Sequence, residues 1–125
     1  MNLKEYTSCD GIALADLVRK KEVSPKELVQ LCVNAVEKVN PKINAVIELY
    51  SDRIKNIDNN PISDAPFAGV PFLMKDIGAS EKGRLQESGS RFMKGNVAET
   101  EAFLTALFKK AGLTLLGRTT TPEFA

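Results

Sequence analysis

The sequence predicts an α/β fold in which helices flank a sheet. An apolar run at residues 113–116 directly follows a helix pattern that ends at a glycine, as is typical of a strand buried on both faces of a parallel sheet. A second apolar run opens the stretch 67–78. The chain ends a few residues after the first run, with no further strand to complete a sheet. We therefore expect an incomplete fold.

The amino-terminal part predicts two helices. Residues 11–21 carry apolar side chains on one side and three basic residues at their end, which suits a short helix. The sequence Ser-Pro-Lys-Glu at residues 24–27 is a capping box with proline at the first helical position, and it predicts the start of a second helix. We expect this helix to end at Pro41, because the residue before a proline avoids helical geometry. Its apolar stripe comprises Leu28, Leu31, Cys32, Ala35, Val36 and Val39.

The next segments are shorter. Residues 43–49 are apolar and partly β-branched, which predicts a strand. Residues 51–57 combine a Ser-Asp N-cap signal with two isoleucines and predict a short, weakly amphipathic helix. Residues 59–66 are rich in Asn, Pro and Asp, and we interpret them as a connector.

The carboxy-terminal part predicts a loop, then a helix. Residues 79–97 lack periodicity and predict a loop with one brief strand at most. Within it, residues 88–90 (Ser-Gly-Ser) resemble a nucleophile turn, but a turn closed by serine hydroxyls fits better because the flanking glycines and the strand-to-helix context are missing. Residues 100–110 predict a helix capped by Gly112. Its apolar face comprises Phe103, Leu104, Leu107, Phe108 and Ala111.

The candidate catalytic residue is Lys75, at the end of the run in residues 67–78. In an extended segment side chains alternate, which puts Lys75 on the face of Leu73 and Ile77 and puts Asp76 on the other. We therefore expect the lysine among apolar neighbours, away from its adjacent acid. Desolvation lowers the pKa of a lysine, and a neutral lysine can act as a base. A Lys-Asp pair is also typical of the solvated end of a strand, and the residues alone leave both interpretations open.

Composition excludes several classes of function. The formal net charge is +1, from 17 basic and 16 acidic residues without a basic block, so we expect neither a nucleic-acid nor a membrane partner. No apolar run reaches the length of a signal peptide or a membrane span, and we expect a cytoplasmic protein. Histidine is absent, which excludes Ser-His-Asp and Cys-His catalysis within this chain, and we expect no metal or cofactor. Cys9 and Cys32 are predicted to be reduced thiols.

Four segments resemble the opening part of the amidase signature family, in order and at similar spacing. They are residues 69–76 (Gly-Val-Pro-Phe-Leu-Met-Lys-Asp), 88–91 (Ser-Gly-Ser-Arg), 101–112, and 116–124 (Leu-Gly-Arg-Thr-Thr-Thr-Pro-Glu-Phe). The two amino-terminal helices resemble the start of that family too, so the resemblance covers nearly the whole chain. It implies the amino-terminal part of a mixed sheet flanked by helices.

The resemblance also implies a domain organisation and a mechanism. Residues 1–125 form one amino-terminal segment of an amidase domain, divided as helical 11–58, lysine-bearing strand and loop 67–78, loop 79–97 and helix-strand 100–117. The family hydrolyses amides with a serine nucleophile, a second serine held by a cis peptide bond, and a lysine where Lys75 lies. Lys75 would accept a proton through the bridging serine, so that the nucleophile forms an acyl-enzyme.

The serines of that relay have no counterpart here. The segment that carries them lies well beyond residue 125 in the family, and Ser80, Ser88 and Ser90 do not match it. We therefore expect an amino-terminal fragment that is inactive alone, from a parent acting on a small-molecule amide. The motifs are closer to stand-alone amidases than to the amidotransferase subunit that serves tRNA.

A second hypothesis is a non-catalytic binding or assembly module that self-associates through an exposed sheet edge. We also expect an exposed apolar surface beside residues 113–116, because the sheet neighbours of that strand are missing.

Overall fold

A computed structural model describes residues 1–57 and 64–125. Most of the predicted connector 59–66 therefore lies outside the described residues. The elements in chain order are α1 (Leu3–Ser8), α2 (Gly11–Arg19), α3 (Pro25–Ile43), β1 (Val46–Leu49), α4 (Ser51–Lys55), β2 (Pro71–Lys75), a 3₁₀ helix (Arg91–Met93), α5 (Phe103–Lys110) and β3 (Thr114–Thr119).

The three strands form one mixed sheet in the order β1-β3-β2. The central strand β3 pairs antiparallel with β1 and parallel with β2. The parallel pair requires a long crossover, and the loop after β2 together with α5 provides it. The predicted α/β class and mixed sheet are confirmed.

The side chains of β3 alternate between two layers. Leu116, fully buried, packs with Val29 and Cys32 of α3 on one face of the sheet. Leu115, 2% exposed, packs with Met74 on the other face, where Phe108 of α5 closes the cluster. Helices therefore cover both faces, as a strand buried on both sides predicts. A third cluster joins α2 to the start of α3 and comprises Leu14, Ala15, Val18, Val23, Leu28 and Val70.

The prediction of an exposed apolar surface beside residues 113–116 is wrong. Strand β3 is central, so both of its sheet neighbours are present, and its two leucines are buried. Large exposed apolar side chains lie elsewhere, and they include Phe92, Val97, Phe103, Leu104 and Leu107. No helix among the described residues is long and apolar enough to cross a membrane.

Helix α3 begins at its predicted capping signal but does not end where predicted. At α3 the Ser24 hydroxyl accepts the Glu27 amide and the Glu27 carboxylate accepts the Ser24 amide, which confirms the capping box. The helix continues through Pro41 to Ile43, so the predicted end is wrong. Near its last turn a proline removes a single backbone hydrogen bond. The Asn40 side chain joins this turn to β1 by bonding both the amide and the carbonyl of Val46 at 2.8 Å.

Two shorter elements differ from their predictions. Helix α1, with its own capping box, was not predicted. Helix α4 is present, but its N-cap residue is Tyr50 and no side chain caps it. Asp52 instead forms a bidentate ion pair with Arg84, at 2.7 and 3.0 Å. The Asp52 carboxylate, which the local pattern predicted as a helix cap, is therefore paired with Arg84 instead.

Helix α5 begins three residues later than predicted, and its apolar face is only partly buried. Thr105 is fully buried and Phe108 packs with Phe72, their ring centroids 4.8 Å apart, whereas Phe103 is 80% exposed. The helix therefore turns the side of Thr105 toward the sheet. Gly112, at φ 88°, ends the helix as predicted, because its left-handed backbone suits glycine.

Candidate functional site

Lys75 is the last residue of β2, and its backbone is fixed by β3. Its Cα pairs with that of Thr119. The Asp76 amide donates to the Thr119 carbonyl at 3.2 Å, and the Thr119 hydroxyl donates to the Met74 carbonyl at 3.3 Å. The residues before and after Lys75 are thus both held by one residue of the central strand, which sets the point from which the lysine side chain extends.

The predicted alternation along β2 is confirmed, but the predicted apolar surroundings of Lys75 are wrong. Leu73 packs against the α3 side of the sheet, and Met74 is buried on the α5 side. The cluster that covers Leu73 does not reach the end of the strand, so the Lys75 side chain is exposed. Among the described residues, no carboxylate lies within ion-pair distance of its ammonium.

Asp76 lies on the opposite side and is 2% exposed. Its carboxylate accepts three hydrogen bonds: from Nη1 of Arg118 at 2.7 Å, from the Glu87 amide at 3.0 Å and from the Gly89 amide at 3.3 Å. A buried carboxylate requires such partners, because an unpaired charge away from water is costly. The acid that follows Lys75 is therefore fully engaged elsewhere.

Arg118, 5% exposed, joins three separate segments. Besides Asp76, its Nε donates to Glu48 of β1 at 2.6 Å and its Nη2 donates to Glu87 at 2.8 Å. Burial alone would lower the pKa of Arg118, but the hydrogen bonds that it donates to these carboxylates outweigh burial and raise it. We call Arg118, Glu48, Asp76 and Glu87 the arginine cluster.

The arginine cluster was not predicted as a unit. The one feature of the sequence that indicates it is a charged residue, Arg118, two residues after the apolar Leu115-Leu116 pair of the same strand. Hydrogen bonds also lower the pKa of Glu87, the largest contribution coming from the Gly95 amide and the next from Arg118. The Glu87 carboxylate is thus stabilised as an anion by both a backbone and a side-chain donor.

The Ser-Gly-Ser segment forms a turn, as predicted. Ser88 and Gly89 both have positive φ, at 51° and 62°, and the Ser90 amide donates to the Glu87 carbonyl at 2.9 Å. The Ser90 hydroxyl accepts the Phe92 amide and donates to the Glu123 carboxylate at 2.7 Å. The turn therefore joins the carboxy-terminal residues to the end of β2.

A second group of charges lies near the same end of the sheet. Glu81, 5% exposed, forms a bidentate pair with Arg53 and lies 3.0 Å from Nζ of Lys109. Burial alone would raise the pKa of Glu81, but the hydrogen bonds from these two cations outweigh burial and lower it. Lys75, Asp76, Glu81 and Arg118 all line one small cavity.

The part of the chain that the structure describes contains no cluster of side chains that could hold a metal ion, and its two cysteines are not paired. There, no group of three or more His, Cys, Asp or Glu side chains is placed to hold a metal ion. Cys9 and Cys32 are both free thiols, and Cys32 is buried. The end of β2 therefore carries one exposed lysine, next in sequence to a carboxylate that is already paired.

The chain is similar to amide-hydrolysing proteins over nearly all of its length. A sequence model described as amidase matches residues 27–125. The chain is 38% identical to a 6-aminohexanoate-cyclic-dimer hydrolase of Paenarthrobacter ureafaciens over 116 residues, which are 91% of the chain and 23% of that protein. It is 34% identical to a glutamyl-tRNA(Gln) amidotransferase subunit of Methylobacillus flagellatus, over 90% of the chain and 24% of that protein.

Comparison with solved structures shows the same similarity. A solved structure of 6-aminohexanoate cyclic dimer hydrolase superimposes with a TM-score of 0.85 at 36% identity, covering 99% of the chain and 25% of the hydrolase. The chain thus spans about a quarter of the length of these relatives.

Proposed function

Because the chain belongs to the amidase signature family, we propose that it is the amino-terminal part of an amidase and that Lys75 is the lysine of a Ser-cisSer-Lys relay. The two serines of the relay are supplied from outside residues 1–125. The observation that supports this most directly is the placement of Lys75, at the end of a strand inside the matched segment, with an exposed ammonium and no carboxylate partner among the described residues.

In this proposal Lys75 acts in its neutral form as the proton acceptor. The nucleophilic serine gives its proton to the bridging serine, which passes one to Nζ of Lys75. The serine oxygen attacks the amide carbonyl carbon, the C–N bond breaks as the amine leaves with a proton, and water hydrolyses the acyl-enzyme. A paired lysine would stay charged and would not serve, which is why the engagement of Asp76 with Arg118 supports the role.

The proposed substrate is a small carboxylic amide. Identity to the stand-alone hydrolase is 38%, against 36% and 34% for two amidotransferase subunits, and this difference supports the stand-alone type. Which amide is the substrate depends on segments outside this chain, because the chain spans about a quarter of the length of its relatives. Alone, the chain is proposed to be inactive because a base without its serines has nothing to activate.

The test is an amide-hydrolysis assay of the purified chain, alone and mixed with a separately produced carboxy-terminal portion of the parent amidase. We expect no turnover alone and measurable turnover in the mixture. Lys75→Ala and Lys75→Arg are both expected to abolish that turnover, since arginine stays charged. Lys82→Ala, at an exposed lysine of the following loop, is the matched control and should retain it. Turnover by the isolated chain, or by a Lys75→Ala mixture, would overturn the proposal.

A cytoplasmic location is part of the proposal. Its support is the pair of free thiols, which fits a reducing compartment. Cell fractionation with an epitope-tagged chain is the check, and recovery outside the cytoplasmic fraction would contradict it.

The second candidate is a non-catalytic assembly module. It is favoured by the position of β2 at an edge of the described sheet and by the exposed apolar side chains of α5. Sedimentation of the purified chain is the test. Self-association that Met74→Pro on β2 removes would support edge pairing, provided the variant is folded, whereas a strictly monomeric chain would count against it.

A further inference from the structure

Both buried carboxylates that share the small cavity with Lys75 are held by other cations. Asp76 bonds to Arg118, and Glu81 bonds to Arg53 and Lys109. The exposed Lys75 ammonium has no carboxylate partner among the described residues, although these two carboxylates lie near the same end of β2.

Arg118 is the residue that binds the Asp76 carboxylate and keeps it away from Lys75. Its Nη1 lies 2.7 Å from Asp76, and two backbone amides of the 87–89 turn hold the same carboxylate. Arg118 also holds this turn, through Glu87 at 2.8 Å. The arginine therefore fixes Asp76 twice: by a direct ion pair, and by holding the backbone donors in place. Glu48 anchors the guanidinium itself to β1 at 2.6 Å.

We propose that Arg118 is a positioning residue for Lys75: by holding the Asp76 carboxylate on the opposite side of β2, it leaves the lysine ammonium free for a partner outside this chain. The inference deepens the proposed function and rests on Lys75 being the proton acceptor. Its physical basis is that an opposite charge within about 4–6 Å favours the charged form of a lysine. A released Asp76 carboxylate would be such a charge, attached to the next residue.

The test measures Lys75 directly, without any reaction. The Cε and Nζ resonances of the purified, isotope-labelled chain are followed by NMR as a function of pH, and Lys75 is assigned by the signal lost in Lys75→Arg. In Arg118→Gln the Lys75 resonances are expected to titrate at higher pH than in the wild-type chain, because Asp76 loses its cation. Arg19→Gln removes an arginine that pairs with Asp16 on the exposed side of α2, away from this end of the sheet, and should leave Lys75 unchanged.

A double variant separates release of Asp76 from the general loss of a positive charge. If Arg118 acts through Asp76, Arg118→Gln combined with Asp76→Asn restores the pKa of Lys75 most of the way to the wild-type value. If the shift persists undiminished in the double variant, it comes from loss of the Arg118 charge or from Glu48 and Glu87, and the proposal is overturned. An unchanged pKa in a folded Arg118→Gln chain overturns it as well.

Arg118→Lys keeps the experiment decisive if the glutamine variant does not fold. A lysine retains the charge but cannot direct three planar donors at three carboxylates, so partial release of Asp76 and a smaller upward shift are expected. No shift in a folded Arg118→Lys chain, together with an unfolded Arg118→Gln chain, would mean that Arg118 serves the fold alone. Because the readout is the titration of Lys75, its failure is distinct from failure of the amidase assay.

Discussion

The guanidinium of Arg118 and the carboxylate of Asp76 lie 2.7 Å apart, both side chains almost completely buried, although 42 residues separate them in the sequence. This pair crosses from the central strand β3 to the residue that follows Lys75. It connects the core of the sheet to the candidate site, so its loss should affect both.

Arg118→Gln should destabilise the chain far more than Arg84→Gln. Removing Arg118 leaves the buried Asp76 and the partly buried Glu48 and Glu87 without their cation, and we expect a loss of about 3–5 kcal/mol in the free energy of unfolding, mostly from Asp76. Arg84 pairs with Asp52, whose side chain is 62% exposed, and lies 4.3 Å from the Tyr50 ring centroid, so a much smaller loss is expected there. Urea unfolding of both variants is the measurement. Equal losses would show that the arginine cluster contributes no more than a surface pair.

Gly117→Ala should weaken the pairing of β1 with β3. A Cβ at Gly117 would overlap the Glu48 carbonyl oxygen, well inside the 3.0 Å that real Cβ atoms respect. Because that atom belongs to the backbone of the paired strand, it cannot rotate away, and we expect a loss near the upper end of about 1–3 kcal/mol.

Gly11→Ala is the matched control for this substitution. Its Cβ would have Phe67 as its nearest neighbour, at 3.6 Å, and it lies at the start of α2 without a positive φ. We expect little change in its unfolding midpoint. A Gly117→Ala chain as stable as the Gly11→Ala chain would contradict the close strand approach.

Acid should destabilise the chain partly through Glu81. Its pKa in the folded chain is lowered from 4.5, so it binds a proton less readily folded than unfolded. The stabilisation it provides is therefore complete above pH 4.5 and is lost as the pH falls from there through the lower, folded pKa. Glu81→Gln should reduce stability at neutral pH and flatten its decline on acidification.

The measurement for Glu81 is the unfolding midpoint between pH 7 and pH 3. Glu37→Gln, at an exposed position of α3, is the control and should follow the wild-type curve. A Glu81→Gln curve parallel to wild type across the acid range would show that the pairs with Arg53 and Lys109 do not contribute to acid stability.

The two cysteines should react at very different rates. Burial raises the pKa of the Cys32 thiol and restricts access to it, whereas Cys9 is only half-buried. Since the thiolate is the nucleophile, we expect a thiol reagent to modify Cys9 at least about ten-fold faster than Cys32 at neutral pH. Peptide mass spectrometry after timed labelling distinguishes the sites, and the urea-unfolded chain should show similar rates. Equal rates in the folded chain would place Cys32 at the surface.

The sequence by itself determined the features that depend on neighbouring residues. The capping box of α3, the glycine that ends α5 and the buried strand β3 each rest on signals within a few residues, and each was predicted. The alternation along β2 belongs to the same class, since it follows from strand geometry alone. It placed Lys75 and Asp76 on opposite sides of the strand, where Arg118 holds the Asp76 carboxylate.

Only the tertiary structure decided the surroundings of Lys75. Its exposure depends on where the apolar cluster beneath β2 ends, and the fate of Asp76 depends on Arg118, Glu48 and Glu87. Arg118 lies 70, 42 and 31 residues from its three carboxylate partners, so no local pattern indicates which acids it will bind. The whole fold determines which buried charges pair, because each buried charge needs a partner and only the folded chain brings the two together.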